Sequence, residues 1–258
     1  MKIVCLLENK TTVPHMETEH GLSLYIETEN KKILFDMGQT AAFAKNAEKL
    51  GISLEEVDFA VLSHGHYDHG GGLSRFLEIN RNAPVFVQKD AFLPHYNGTQ
   101  KYIGLDSSLK ENPRLIFTDS HFQINENIRL DACNEQERTL PENALGLFEK
   151  KEDIFIPDDF RHEQYLSIRE NGKTVLFSGC SHKGILFLSE YFRPDILLGG
   201  FHFSKMKTDD KLKQAARCLD SHPTIYYTCH CTGTEQFLFM QKYMRNLHDL
   251  SCGETLFL

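Results

Sequence analysis

No apolar run in this chain approaches the roughly 20 residues that a membrane-spanning helix needs, so a helical membrane protein is excluded. A basic excess is missing too: 28 Lys and Arg face 36 Asp and Glu, for a formal charge of −8. That balance argues against a general nucleic-acid or anionic-membrane surface and leaves room only for a local basic pocket. There is no phosphate-cradling Walker loop and no dinucleotide fingerprint. Gly179-Cys180-Ser181-His182 superficially offers a nucleophile beside a base, but the Gly-x-Ser-x-Gly elbow of serine hydrolases is absent. The seven cysteines are an odd number. Met1-Lys2-Ile3-Val4-Cys5-Leu6-Leu7-Glu8 reads as a short strand rather than a signal peptide. Reduced thiols in the cytoplasm are the expectation. No linker or low-complexity segment interrupts the chain, which predicts one domain over residues 1–258 with a substantial core.

What is present is a plan repeated in two lobes, about 1–120 and 150–258. Leu24 to Asn30 and then Lys32 to Phe35 read as a hairpin of alternating strands. Leu166 to Gly172 and then Thr174 to Phe177 read the same way, with Asn171-Gly172 as a strong hairpin turn. Each hairpin leads through a glycine and a helical stretch to a buried strand: Val57 to Leu62 in the first lobe, Asp195 to Leu198 in the second. The spacing of apolar residues predicts amphipathic helices over Thr40–Leu50, Asp209–Leu219 and Thr234–Leu247. Two polar stretches, about Tyr96–Pro113 and Asn134–Asp159, read as loops or short elements near a site mouth, where lids choose substrate. Glu254 to Leu258 reads as a closing strand. Two such lobes face to face would bring their strand ends to one common edge.

The densest chemistry follows the first buried strand. Ser63-His64-Gly65-His66-Tyr67-Asp68-His69-Gly70-Gly71-Gly72 sets His64, His66, Asp68 and His69 within six residues. Imidazoles and a carboxylate are ligands for zinc, iron and related ions, and the glycines permit tight geometry at a strand end. His64 and His66 can face one ion, Asp68 and His69 a second. Four side chains do not complete two ions, so further ligands must come from later strand ends. Cys180 and His182, two apart, follow one strand; His230 follows Thr224-Ile225-Tyr226-Tyr227. Strand alternation turns the flanking Cys229 and Cys231 away from His230, as packing residues.

Six pieces in order carry a resemblance over nearly the whole chain: Glu19-His20-Gly21-Leu22-Ser23-Leu24, Leu34-Phe35-Asp36-Met37-Gly38-Gln39, the His64 string, Gly179-Cys180-Ser181-His182, Gly199-Gly200-Phe201-His202 and His230-Cys231-Thr232-Gly233. Together they resemble the metallo-β-lactamase superfamily and, within it, the dihydropterin aminobenzene-phosphate synthase-like branch. The resemblance implies an α/β (α+β) fold, a four-layer αββα sandwich. Most members carry a bridging aspartate where Cys180 stands here, and take a histidine from the region of His162. Within the branch, the Gly-Cys-Ser-His piece looks like the replacement. His182 is therefore assigned to the first ion, with His162 its rival, and Cys180 is either a thiolate ligand or a small buried residue. The aspartate matching Asp36 orients a metal-binding histidine in the superfamily; a simple turn cap is the alternative. His202 is expected to bind a substrate phosphate or act as general acid, or else to be a loop histidine.

Two adjacent divalent ions acidify a water and polarise a substrate oxygen. The first expectation is a hydrolase of a small, phosphate-bearing substrate, with Asp68 and His202 as catalytic residues and zinc favoured over iron or manganese. The second is a synthase joining a pterin to an aminobenzene ribosyl phosphate, as the branch's named member does. The third is a non-enzymatic metal-binding sensor. The expected partner is a small molecule, with neither nucleic acid nor membrane, and a homo-oligomer remains open.

Overall fold

The protein is described from a computed structural model covering residues 1–137, 139–142 and 146–258. The first lobe carries β1 (Lys2–Leu7), β2 (Ser23–Glu27), β3 (Lys32–Phe35), β4 (Phe59–Val61), β5 (Val85–Gln88), β6 (His95–Asn97), β7 (Lys101–Tyr102) and β8 (Leu115–Thr118). Then come β9 (His121–Asn125), β10 (Ile128–Asp131), β11 (Leu147–Lys151), β12 (Ile154–Pro157), β13 (Tyr165–Glu170) and β14 (Lys173–Ser178). The last strands are β15 (Ile196–Gly199), β16 (Ile225–Thr228), β17 (Leu247–Asp249) and β18 (Thr255–Phe257). The helices are α1 (Ala42–Lys49), α2 (Tyr67–Gly70), α3 (Leu73–Ile79), α4 (Ile185–Phe192), α5 (Asp210–Asp220) and α6 (Thr234–Met240). Among the described residues no helix is long and apolar enough to cross a membrane.

Two seven-stranded sheets run β18-β1-β2-β3-β4-β5-β8 and β17-β16-β15-β14-β13-β10-β9. In each, an antiparallel hairpin half meets a parallel half: β3, β4, β5 and β8 in one, β14 to β17 in the other. Strand alternation sorts the side chains into three apolar layers. Ile33 and Phe35 of β3 meet Val175 and Phe177 of β14 between the sheets. Leu34 packs instead under α1 and α3 with Phe43 and Phe76. Leu176 and Leu197 pack under α4, α5 and α6 with Leu188, Leu212 and Met240. The result is the four-layer αββα sandwich.

The expected hairpins form with Leu24 opposite Phe35 and Leu166 opposite Phe177. Asn171 and Gly172 both take positive φ, 53° and 77°, as an Asn-Gly type I′ turn requires. Asp209 caps α5 by accepting the Lys211 N–H at 2.9 Å. One expectation changes. The helix predicted over Thr234–Leu247 ends at Met240, and Leu247 opens β17, opposite Tyr226. Met244 and Leu247 still reach the same core, so apolar spacing reported burial correctly but not the hydrogen bonding. The polar stretches expected as loops or short elements supply most of the short strands of a third, four-stranded sheet, β12-β11-β6-β7. Positions 138 and 143–145 of the second stretch lie outside the described residues.

Candidate metal centre

Parallel strands aim their carboxyl ends one way, and ligand sites gather at that edge of α/β sheets. Here Asp36 follows β3, His64 follows β4, His182 follows β14, His202 follows β15 and His230 follows β16. Four residues at these ends hold left-handed backbone: Asp36 (φ 60°), Ser181 (57°), His202 (57°) and His230 (51°). Such non-glycine conformations cost on the order of 1 kcal/mol each and concentrate at functional sites. Gly179 lets the lobes close on each other, since a Cβ there would lie 2.1 Å from Ser63 Oγ.

Hydrogen bonds fix which ring nitrogens carry lone pairs. Asp36, fully buried, accepts the Ser63 N–H (2.7 Å) on Oδ1, and the Ser63 hydroxyl (2.7 Å) and His69 Nδ1–H (2.7 Å) on Oδ2. With its proton committed to Asp36, Ser63 Oγ receives His64 Nδ1–H at 2.8 Å. Both His64 and His69 therefore present Nε2 lone pairs inward. His64 Nε2, His66 Nε2 and both ring nitrogens of His182 are buried without a hydrogen-bond partner. The ligating atoms of these three histidines lie within 4.8 Å of one another. Burial and the neighbouring histidines hold all three well below the usual histidine range, so they are neutral and suited to a cation. Phe160 stacks on His182, with ring planes 3° apart and centroids 4.6 Å apart.

A second donor set adjoins the first. Asp68 and His69 lie on the single turn of α2, and Asp68 Oδ2 is 3.9 Å from His69 Nε2 and 3.5 Å from His230 Nε2. His230 donates Nδ1–H to Asn9 Oδ1 (3.0 Å), and its backbone N–H reaches Glu8 (2.6 Å). Its Nε2 lone pair thus points at that of His69, 3.2 Å away. Two lone pairs and a carboxylate at one point repel unless a positive charge sits among them. Burial pulls His69 down, but Asp36 and Asp68 outweigh it and push its pKa up to about 9, so without an ion a proton takes the Nε2 position that a cation would fill. Burial opposes ionisation of Asp68, yet the charge on His69, a bond from His20 and the adjoining His230 ring hold its carboxyl well below the usual range. Even without an ion the set attracts positive charge.

The run His162-Glu163-Gln164 braces the first set from the second lobe. Gln164 Nε2 donates to the Leu62 carbonyl at 2.8 Å, and Glu163 accepts the backbone N–H of His182 at 2.9 Å. His162 Nδ1 accepts the Gly65 N–H (2.9 Å), which leaves Nε2–H to donate to Asp158 (3.3 Å). Both nitrogens of His162 are spent, whereas neither nitrogen of His182 is. Asp158 also receives His95 Nδ1–H at 2.9 Å, tying the third sheet to this brace. His182→Ala is accordingly expected to lose metal and activity, while His162→Ala keeps most of both. Metal content by elemental analysis of the two variants checks this, and the reverse pattern would make His162 the ligand.

Every residue expected at the site reaches it, and others join that sequence reasoning missed. His20, half-exposed, sets Nε2 3.3 Å from Asp68 Oδ2. Cys231 does not turn away. His230–Thr232 is a 3-10 turn rather than a strand, so alternation fails and Cys231 groups with Cys180 and His202. Cys229 does pack in the apolar core, as expected. His202 is partly exposed at the rim, its ring 4.3 Å from that of His182. The sequence signals for Glu8, Asn9 and Glu163 were faint: polar residues at the boundary of an apolar strand.

Comparison with known proteins gives consistent results. A family model described as the metallo-beta-lactamase superfamily matches residues 17–222. The uncharacterized protein MJ0448 of Methanocaldococcus jannaschii is 31% identical over 90% of this chain and 91% of its own length. The 7,8-dihydropterin-6-methyl-4-(beta-D-ribofuranosyl)-aminobenzene-5'-phosphate synthase of the same organism is 27% identical over 93% of this chain and 90% of its own. The crystal structure of Tm1679, a metal-dependent hydrolase of the beta-lactamase superfamily, superposes with a TM-score of 0.84 at 29% identity, covering 100% of this chain and 99% of that one.

Proposed function

The chain belongs to the metallo-β-lactamase superfamily, in the branch of the dihydropterin–aminobenzene-phosphate synthase, and from that premise we propose that it is a metal-dependent hydrolase of a small, phosphate-bearing substrate. The observation that carries this reading is the convergence of buried ring nitrogens with no other partner. His64, His66 and His182 would hold one ion, and Asp68, His69 and His230 a second. Neutral imidazoles with one carboxylate suit zinc first, then iron or manganese. When bound, two such ions would acidify a water and polarise an oxygen on the phosphorus centre that the water attacks. Asp68, a ligand in the second set, would also orient that water. Asp36 keeps His69 in the tautomer that ligates. His202 at the rim receives the substrate phosphate or protonates the leaving group.

A second reading, the synthase, is favoured by the 27% identical relative that carries this activity over 93% of the chain. Elemental analysis of purified protein, with a panel of phosphomonoester, phosphodiester, thioester and lactone substrates, separates the two. Up to two transition-metal ions per chain and turnover of a phosphoester are expected. Coupling of a pterin to an aminobenzene ribosyl phosphate without hydrolysis would favour the synthase. No zinc, iron, manganese or nickel, and no uptake on reconstitution, would sink both.

A further inference from the structure

Resting on the two-ion reading above, we infer that the Cys180 thiolate is a ligand shared by both ion positions. Its sulfur stands between the donor sets. Cys180 Sγ lies 3.2 Å from His69 Nε2, in the second set. The ligating atoms of Cys180, His69 and His64, a member of the first set, all fall within 4.8 Å of one another. Zinc–sulfur bonds near 2.3 Å and zinc–nitrogen bonds near 2.0 Å put neighbouring ligands of one ion roughly 3–4 Å apart. The 3.2 Å separation from His69 is of that kind.

Cys5, Cys133 and Cys229 are embedded in the apolar layers, but Cys180, equally buried, belongs to none of them. Its surroundings are His69, Cys231, His202 and the His64 ring. Gly179, before it, holds the strand end against Ser63 and Asp36, the pair that orients His64 and His69. Cys231 sits behind, its S–H directed at the Cys180 carbonyl at 3.6 Å and its sulfur accepting the His202 N–H at 3.2 Å. The alternative use of Cys180, donating S–H to His69 Nε2, would consume the lone pair that Asp36 sets toward the second ion. On ion binding Cys180 releases its thiol proton to solvent and the sulfur bonds both ions. A thiolate in this place selects zinc or iron over manganese.

Cobalt(II) loading of the full-length protein tests the inference with a readout independent of activity. The wild type is expected to take up two cobalt ions and show a near-ultraviolet sulfur-to-cobalt absorption band. Its electron paramagnetic signal per cobalt should fall as the second equivalent couples to the first through sulfur. Cys231→Ser should keep the band. Cys180→Ser should lose it, and Cys180→Asp, whose carboxylate retains the ions, should bind two cobalts without it. Two bound cobalts with no band, or a band that follows Cys231, would overturn the inference and leave the two-ion reading intact. A band from Cys180 with undiminished signal at two equivalents would overturn the sharing. Absence of any cobalt uptake would remove the two-ion reading itself.

Discussion

Asp68→Asn is expected to cut turnover of the best substrate by at least about a hundredfold, while the thermal transition of metal-free protein moves by only a few degrees. The substitution keeps size and hydrogen-bonding reach but removes the negative charge. That charge faces His230 Nε2 at 3.5 Å and His69 Nε2 at 3.9 Å, where the second ion is proposed to bind. Ligation and water orientation both need a carboxylate and matter only when substrate is attacked. The fold needs little from the side chain. It meets half-exposed His20, and the backbone carbonyl of Asp68, untouched by the change, is what receives the Leu22 N–H at 3.2 Å. A stability change on the order of 1 kcal/mol or less follows. Melting curves and kinetics on one preparation measure both. Near-full turnover by Asp68→Asn would end the hydrolytic two-ion reading and move the synthase ahead.

Asp36→Asn should act through His69 without touching an ion. The carboxylate accepts three bonds, from the Ser63 N–H, the Ser63 hydroxyl and His69 Nδ1–H. An amide must set its NH₂ against at least one of these donors. The relief open to His69 is to move its proton to Nε2, which removes the lone pair from the second set. The backbone does not confound the result: Asp36 has φ 60°, a region asparagine readily occupies. Affinity for the second ion should fall roughly 10–100-fold, as it does when partners that orient metal-binding histidines are lost. The buried mismatch should cost about 1–3 kcal/mol. Metal titration by calorimetry with chemical denaturation of the metal-free variant reads both. Unchanged affinity would reduce Asp36 to a turn cap.

The sequence by itself determined the plan of the lobes and the residue types gathered at the candidate metal centre. Period-two apolar runs specify strands whichever partner they find, so both hairpins, the helices α1 and α5 and the strands before His64, His202 and His230 were legible. The residue types in Ser63 to His69, Cys180 to His182 and His230 announce a cation site, because few environments besides a metal centre repay so many close imidazoles. What only the tertiary structure decided are relations between segments far apart in the chain. The preference for His182 over His162 rested on resemblance; in the fold the Gly65 amide and Asp158 occupy the His162 ring, while the His182 ring has no hydrogen-bond partner. Cys231 faces the site because the chain closes a 3-10 turn there, which no alternation rule anticipates. The polar stretches become a third sheet by pairing β6 with β11, residues about fifty positions apart whose partners local propensity does not specify. Side-chain chemistry is local and is written in each residue; tautomer, facing and pairing depend on which neighbours the fold supplies.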